Sequence, residues 1–142
     1  GERLVSKYEF VDLLERKAAS ILQPALGRVG GILEAKKIAG MAEAYYAQMA
    51  PHLYAGPIEA AANVQFSVCC PNFLILESIE IFDGFFSELL EKPIQWEDGY
   101  VIPSSEPGLG VELNEAVCDA NPYTSDVVFP PMAEVPLTTY KP

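Results

Sequence analysis

The chain has a single histidine, His52, so any imidazole chemistry must pass through it. Cysteine is nearly as scarce. Cys69, Cys70 and Cys118 form an odd set with an adjacent pair, which is a poor disulfide framework, and no Cys/His spacing resembles a zinc site. Free thiols in a reducing cytoplasm are the expectation. Basic residues number nine against twenty acidic ones, for a formal net charge of −11. That balance argues against nucleic-acid backbones and anionic membranes as partners. No apolar run approaches the ~20 residues of a membrane-spanning helix. No basic start followed by an apolar run marks a secretory signal, and the chain opens on Gly1-Glu2-Arg3 without an initiating methionine. There is no low-complexity linker and no internal repeat beyond a recurring β/α unit.

Half of the 142 residues are apolar, enough for one core of ordinary size. Ser6-Lys7-Tyr8-Glu9 fits a capping box. Phe10, Leu13, Leu14 and Ala18 then follow at helical spacing, which predicts a helix over 7–17 with one buried stripe. Ser20 to Gln23, ended by Pro24, predicts a buried strand. Gly27 to Gly31 is a glycine-rich loop. A helix is expected over 32–46, its apolar face made small by Ala35, Ala39, Gly40 and Ala42. Ala47 to Ala50 predicts a second strand. Gly56-Pro57 opens a third helix to about Val68, because proline is tolerated at a helix's first position, where the N–H lacks a partner anyway. Phe73 to Glu77 predicts a third strand, continuously apolar as strands covered on both faces are.

The order helix, strand, helix, strand, helix, strand makes parallel strands with right-handed crossovers the natural outcome. Glu2, Ala25, His52 and Glu77 recur at intervals of roughly 25 residues, close to one unit of a barrel in which about 250 residues make eight β/α units. Four successive strand ends would carry these residues on one rim, the face on which such barrels build active sites. Beyond Glu77 the periodicity changes. Phe82 to Leu90 suggests a short amphipathic helix. Ile94–Trp96 and Tyr100–Ile102 flank Asp98-Gly99, a strong hairpin signal. Asn114 can cap a short helix through Cys118. The tail from Asn121 holds Pro122, Pro130, Pro131, Pro136 and Pro142 and is expected to be extended.

From spacing alone His52 reads equally as a loop histidine bound to backbone or as a catalytic group. Glu2 reads as a solvated carboxylate, whereas an acid ending an apolar strand, as Glu77 does, points to function. Gly30-Gly31 reads as a turn, with anion binding the sharper alternative. Tyr54 and Arg28 could contact substrate or solvent, and Glu88, Glu91 and Glu97 read as solvated.

An ordered set of short motifs adds to this. Gly1-Glu2-Arg3, Gln23-Pro24, Gly30-Gly31-Ile32, Ala50-Pro51-His52, Gly56-Pro57-Ile58, Pro71-Asn72-Phe73-Leu74 with Glu77, Asp98-Gly99-Tyr100-Val101 and Pro107-Gly108-Leu109-Gly110-Val111 follow in register. Together they resemble the C-terminal barrel part of the enolase superfamily, in the mandelate racemase subgroup. Within it the chain looks most like sugar-acid dehydratases and cycloisomerases, galactonate dehydratase among them. The match covers about Gly1 to Tyr123.

The resemblance implies an α/β fold: part of a (β/α)7β TIM-type barrel, about three β/α units over residues 1–80 with strands 5/6 to 8. Residues 81–142 would form a helix, hairpin and tail that pack on a capping domain. It implies that Glu2 is one of three carboxylates holding Mg²⁺, that His52 is the catalytic histidine of the seventh strand, and that Glu77 is the acid ending the eighth. The other magnesium ligands would lie before Gly1, so this chain alone is expected to be inactive. The implied chemistry is abstraction of the proton next to a substrate carboxylate. Glu77 could donate a hydrogen bond to the enediolate only if protonated. One departure stands out: the family usually places an aspartate after Gln-Pro to orient the histidine, and this chain has Ala25 there. That disfavours a racemase, which needs strong bases on both faces. A sugar acid is the expected substrate. The expected partner is the missing N-terminal half or, in the rival non-catalytic case, a second copy covering open strand edges.

Overall fold

Two short strands pair in parallel at the centre of this computed structural model, which describes residues 1–78 and 83–124. They are β1 (Ile21–Leu22) and β2 (Gln48–Met49), with Ile21 opposite Gln48 and Leu22 opposite Met49. The hydrogen-bond ladder runs further than the strands themselves. Gln48, Ala50 and His52 donate their N–H groups in turn to the carbonyls of Ser20, Leu22 and Pro24. Ala25 and His52 close it as a final parallel bridge.

Helices cover one face of this sheet. They are α1 (Lys7–Glu15), α2 (Leu26–Val29), α3 (Ile32–Ala44) and α4 (Pro57–Val68). Their buried side chains meet Leu22 and Met49 in one core with Phe10, Leu14, Leu26, Val29, Ala35, Ile38, Ala39, Ala42 and Phe66. The alanines of α3 let it lie close to its neighbours, but Gly40 is exposed and does not belong to that face. Ala18 is likewise exposed, because α1 stops at Glu15 before its stripe reaches that residue. The expected capping box does not form: Ser6 is the N-cap without a hydroxyl bond, and the Glu9 carboxylate takes the N–H of Val5, one residue before the cap. Lys7 of α1 bonds to Glu34 of α3 at 2.9 Å, and this holds the Glu34 carboxyl below its ordinary range.

Two sequence expectations are corrected here. The glycine-rich stretch is not all loop: Leu26–Val29 forms the single turn α2, and only Gly30 and Gly31 make the bend. Both have positive φ, +108° and +85°, a region open chiefly to glycine, so the pair ends one helix and starts the next. The stretch 73–77 is not a continuous strand. Phe73 bridges Met49 in parallel, and Leu74 donates to the Met49 carbonyl at 2.8 Å. The next donor due from β2's extension is residue 51, a proline with no N–H, so the ladder breaks. Pairing resumes only where Glu77 N–H meets the Pro51 carbonyl at 3.4 Å. The 73–77 segment has by then advanced three residues against two on its neighbour, a bulge-like slip. Nor is the segment covered on both faces, since Phe73, Leu74 and Ile75 are exposed. Asn72 anchors its start, its amide donating to the carbonyls of Ala39 and Ala47.

The C-terminal part packs on the loop after β2. Leu53 and Ala60 are buried with Leu76, Phe86, Ile94 and Trp96 in a second apolar cluster. The expected helix is shorter, α5 (Phe85–Glu88), and its proposed start at Phe82 lies outside the described residues. β3 (Gln95–Glu97) and β4 (Tyr100–Ile102) pair antiparallel. Asp98 at φ +49° and Gly99 at φ +82° make the hairpin turn, the type I′ geometry that Asp-Gly favours. Asn114 caps α6 (Glu115–Ala120), its side chain accepting from the Val117 N–H. The tail beyond residue 124 lies outside the described residues.

Candidate active site

Glu2, His52 and Glu77 come from three separate parts of the chain and meet at one end of the parallel pair. His52 is held there by its backbone, since its N–H closes the ladder on Pro24 at 3.1 Å. Its ring is mostly buried, at 19% side-chain exposure. The bulge at Pro51 brings Glu77 alongside, and Glu77 Oε2 lies 2.5 Å from His52 Nδ1. The same oxygen accepts the Leu53 N–H at 3.2 Å. Glu2 Oε2 lies 3.4 Å from His52 Nδ1, on a side chain that is 53% exposed.

The four rim positions therefore do gather. Ala25 faces His52 across the last bridge, and a methyl group there offers the ring no acceptor. Around Glu2, residues 1–6 form turns and irregular backbone, with Leu4 N–H bonded to the Gly1 carbonyl. Sequence reasoning missed two contributors. The Leu53 N–H is a backbone group and leaves no mark on a side-chain motif. Pro51 was in view, and a proline inside a strand-like run was the signal for a broken ladder.

Magnesium asks for several oxygen ligands in near-octahedral array. Among the described residues, no group of three or more His, Cys, Asp or Glu side chains is arranged to hold a metal. Glu2 is one half-exposed carboxylate, and Glu77 is turned onto the imidazole. The described residues do not form a magnesium site by themselves. The three cysteines are free, with Cys70 buried, and burial raises the Cys70 thiol's pKa. Among the described residues no helix is long and apolar enough to cross a membrane.

Comparison with known proteins agrees with this architecture. Residues 1–117 match the family model described as Enolase C-terminal domain-like. A proposed mandelate racemase/muconate lactonizing enzyme of Labrenzia alexandrii DFL-11 is 68% identical, with a TM-score of 0.83 over 87% of this chain and 32% of that one. Its counterpart from Burkholderia SAR-1 is 55% identical, with a TM-score of 0.86 over 99% of this chain and 35% of that one. An enolase of Agrobacterium radiobacter, proposed to be a galactarate dehydratase and solved with sodium and L-malate bound, is 37% identical. Its TM-score is 0.78, over 87% of this chain and 35% of that one. The chain thus spans about a third of the length of these solved relatives. A partial α/β barrel with this parallel ladder, a family match across most of its length and such relatives have one meaning: the chain belongs to the enolase superfamily, as a C-terminal domain of the mandelate racemase/muconate lactonizing enzyme kind.

Proposed function

We propose that this chain is the C-terminal part of a Mg²⁺-dependent sugar-acid dehydratase or cycloisomerase. The observation that carries the proposal is the meeting of His52 and Glu77 at the end of the parallel ladder, 2.5 Å apart. An imidazole titrates near neutrality and can both take and return a proton. His52 would remove the proton next to the substrate carboxylate, or deliver one to the departing hydroxyl. Glu77, against it, sets the ring in place. Glu2 would be one of several oxygen ligands to magnesium, the others lying outside this chain. The likeness to a proposed galactarate dehydratase supports a sugar-acid substrate, and the three free thiols support a reducing compartment such as the cytoplasm. Residues 1–80 would complete the barrel and 81–142 would lie against the capping domain.

The test joins this chain to the N-terminal two-thirds of a solved relative, with Mg²⁺, and offers a panel of aldonic and aldaric acids in D2O. The expected result is deuterium at the carbon next to the carboxylate, or loss of water to a 2-keto acid, with at least one of them. Neither reaction with any acid counts against the proposal.

A second reading rests on a separate observation. Phe73 is 37%, Leu74 44% and Ile75 62% exposed, along a segment that, among the described residues, is paired on one side only. An apolar edge of this kind pairs with another chain. If a second copy covers it, sedimentation of the chain alone gives a dimer at micromolar concentration. A stable monomer leaves the rest of a barrel as the natural cover.

A further inference from the structure

We propose that Glu77 is the positioning residue of His52, holding it as the Nδ1–H tautomer so that Nε2 is the atom that moves the proton. The proposal deepens the function argued above, and the tautomer itself stands independently of turnover. It begins with the residue that cannot do the job. Ala25 sits directly opposite His52 in the parallel ladder and carries no acceptor. A histidine at a strand end without an oriented partner is free to rotate and to carry its proton on either nitrogen.

Glu77 removes both freedoms. Its Oε2 lies 2.5 Å from Nδ1 and also takes the Leu53 N–H at 3.2 Å. An ionised carboxylate oxygen only accepts, and the Leu53 N–H already donates to this one. Toward such an oxygen, the proton shared with His52 sits on Nδ1. Glu77 is itself held at two points, its carboxylate by the Leu53 N–H and its backbone by the N–H it donates to the Pro51 carbonyl. Glu2 is the other acceptor within reach, but at 3.4 Å and half exposed it is the weaker one. Among the described residues, Nε2 has no hydrogen-bond partner, so its lone pair is available to substrate. An orienting carboxylate of this kind fixes tautomer and ring direction without titrating in the reaction. The same commitment leaves Oε1 as the oxygen open for the role that the resemblance implies for Glu77, donation to an enediolate.

The proline in β2's extension is what allows the exchange. Because Pro51 cannot donate, the 73–77 segment slips by one residue, and past the slip Glu77 meets the ring. A carboxylate from the third strand segment thus substitutes for one missing from the first.

The experiment uses the full chain labelled with 15N-histidine. One histidine gives one pair of ring nitrogen signals, read with the ring neutral. The wild type is expected to show a pyrrole-like Nδ1 and a pyridine-like Nε2. Glu77→Ala is expected to exchange them toward the Nε2–H form that free histidine prefers, and Glu2→Ala to leave them as they are. A wild type in the Nε2–H form overturns the proposal, as does a Glu77→Ala chain that keeps Nδ1–H. Release of the tautomer by Glu2→Ala overturns it too, and that measurement decides the matter if Glu77→Ala fails to fold. The expected tautomer in a completed enzyme that turns over no sugar acid rejects the function proposed above and leaves this role intact.

Discussion

Replacing His52 by alanine in the completed enzyme is expected to lower kcat by about 10²- to 10⁴-fold, the range that a positioned general acid–base contributes. KM is expected to change little, because the proton transfer is made in the transition state and not in the bound substrate. An interaction of that kind lowers kcat and kcat/KM together. The substitution does not disturb the fold that presents the residue. The bond to Pro24 comes from the His52 backbone N–H, which alanine keeps, and the ring belongs to neither apolar cluster. An unchanged thermal melt therefore accompanies the loss. Full turnover by His52→Ala would remove the catalytic assignment, since the chain has no other histidine to take over.

Phe66→Ala is expected to destabilise the chain by about 3–5 kcal/mol, the cost of removing a buried phenylalanine together with the cavity left behind. Phe66 is fully buried on α4 and belongs to the same cluster as Leu22 and Met49, the inward residues of β1 and β2. Its loss therefore weakens the seam between helix layer and sheet. Domains commonly hold about 5–15 kcal/mol in total, so the variant is left with little reserve. Urea denaturation measures this as a lower midpoint at unchanged slope. A loss below about 1 kcal/mol would show that the cavity collapses and that α4 is held chiefly by other contacts. Because α4 follows directly on the loop carrying His52 and Leu53, a softened seam also loosens the site. His52→Ala and Phe66→Ala thus separate chemistry from support: one loses rate and keeps its melt, the other loses its melt first.

Much of this was legible in residues. Gly56-Pro57 marked the start of α4, Asp98-Gly99 the hairpin turn, and Asn114 the cap of α6. Each is a local rule, satisfied within a few residues of the signal. The Glu2, His52 and Glu77 spacing was legible too, because a barrel repeats its rim at a fixed interval. What escaped was cooperative. Ser20 to Gln23 and Ala47 to Ala50 have the pattern of longer strands than β1 and β2, though their ladder runs on to His52. The stretch 73–77 had every apolar mark of a strand and is none. Its pairing was decided by a proline on its neighbour, some 20 residues earlier, which no pattern within the stretch records.

The sequence by itself determined the order of helices and strands, the single imidazole and the absence of a carboxylate at Ala25. These follow from side-chain identity and near-neighbour geometry. Only the tertiary structure decided which group orients His52. That choice depends on a missing proline donor, a one-residue slip and the Leu53 N–H, three backbone facts that become a hydrogen bond only when the segments lie side by side.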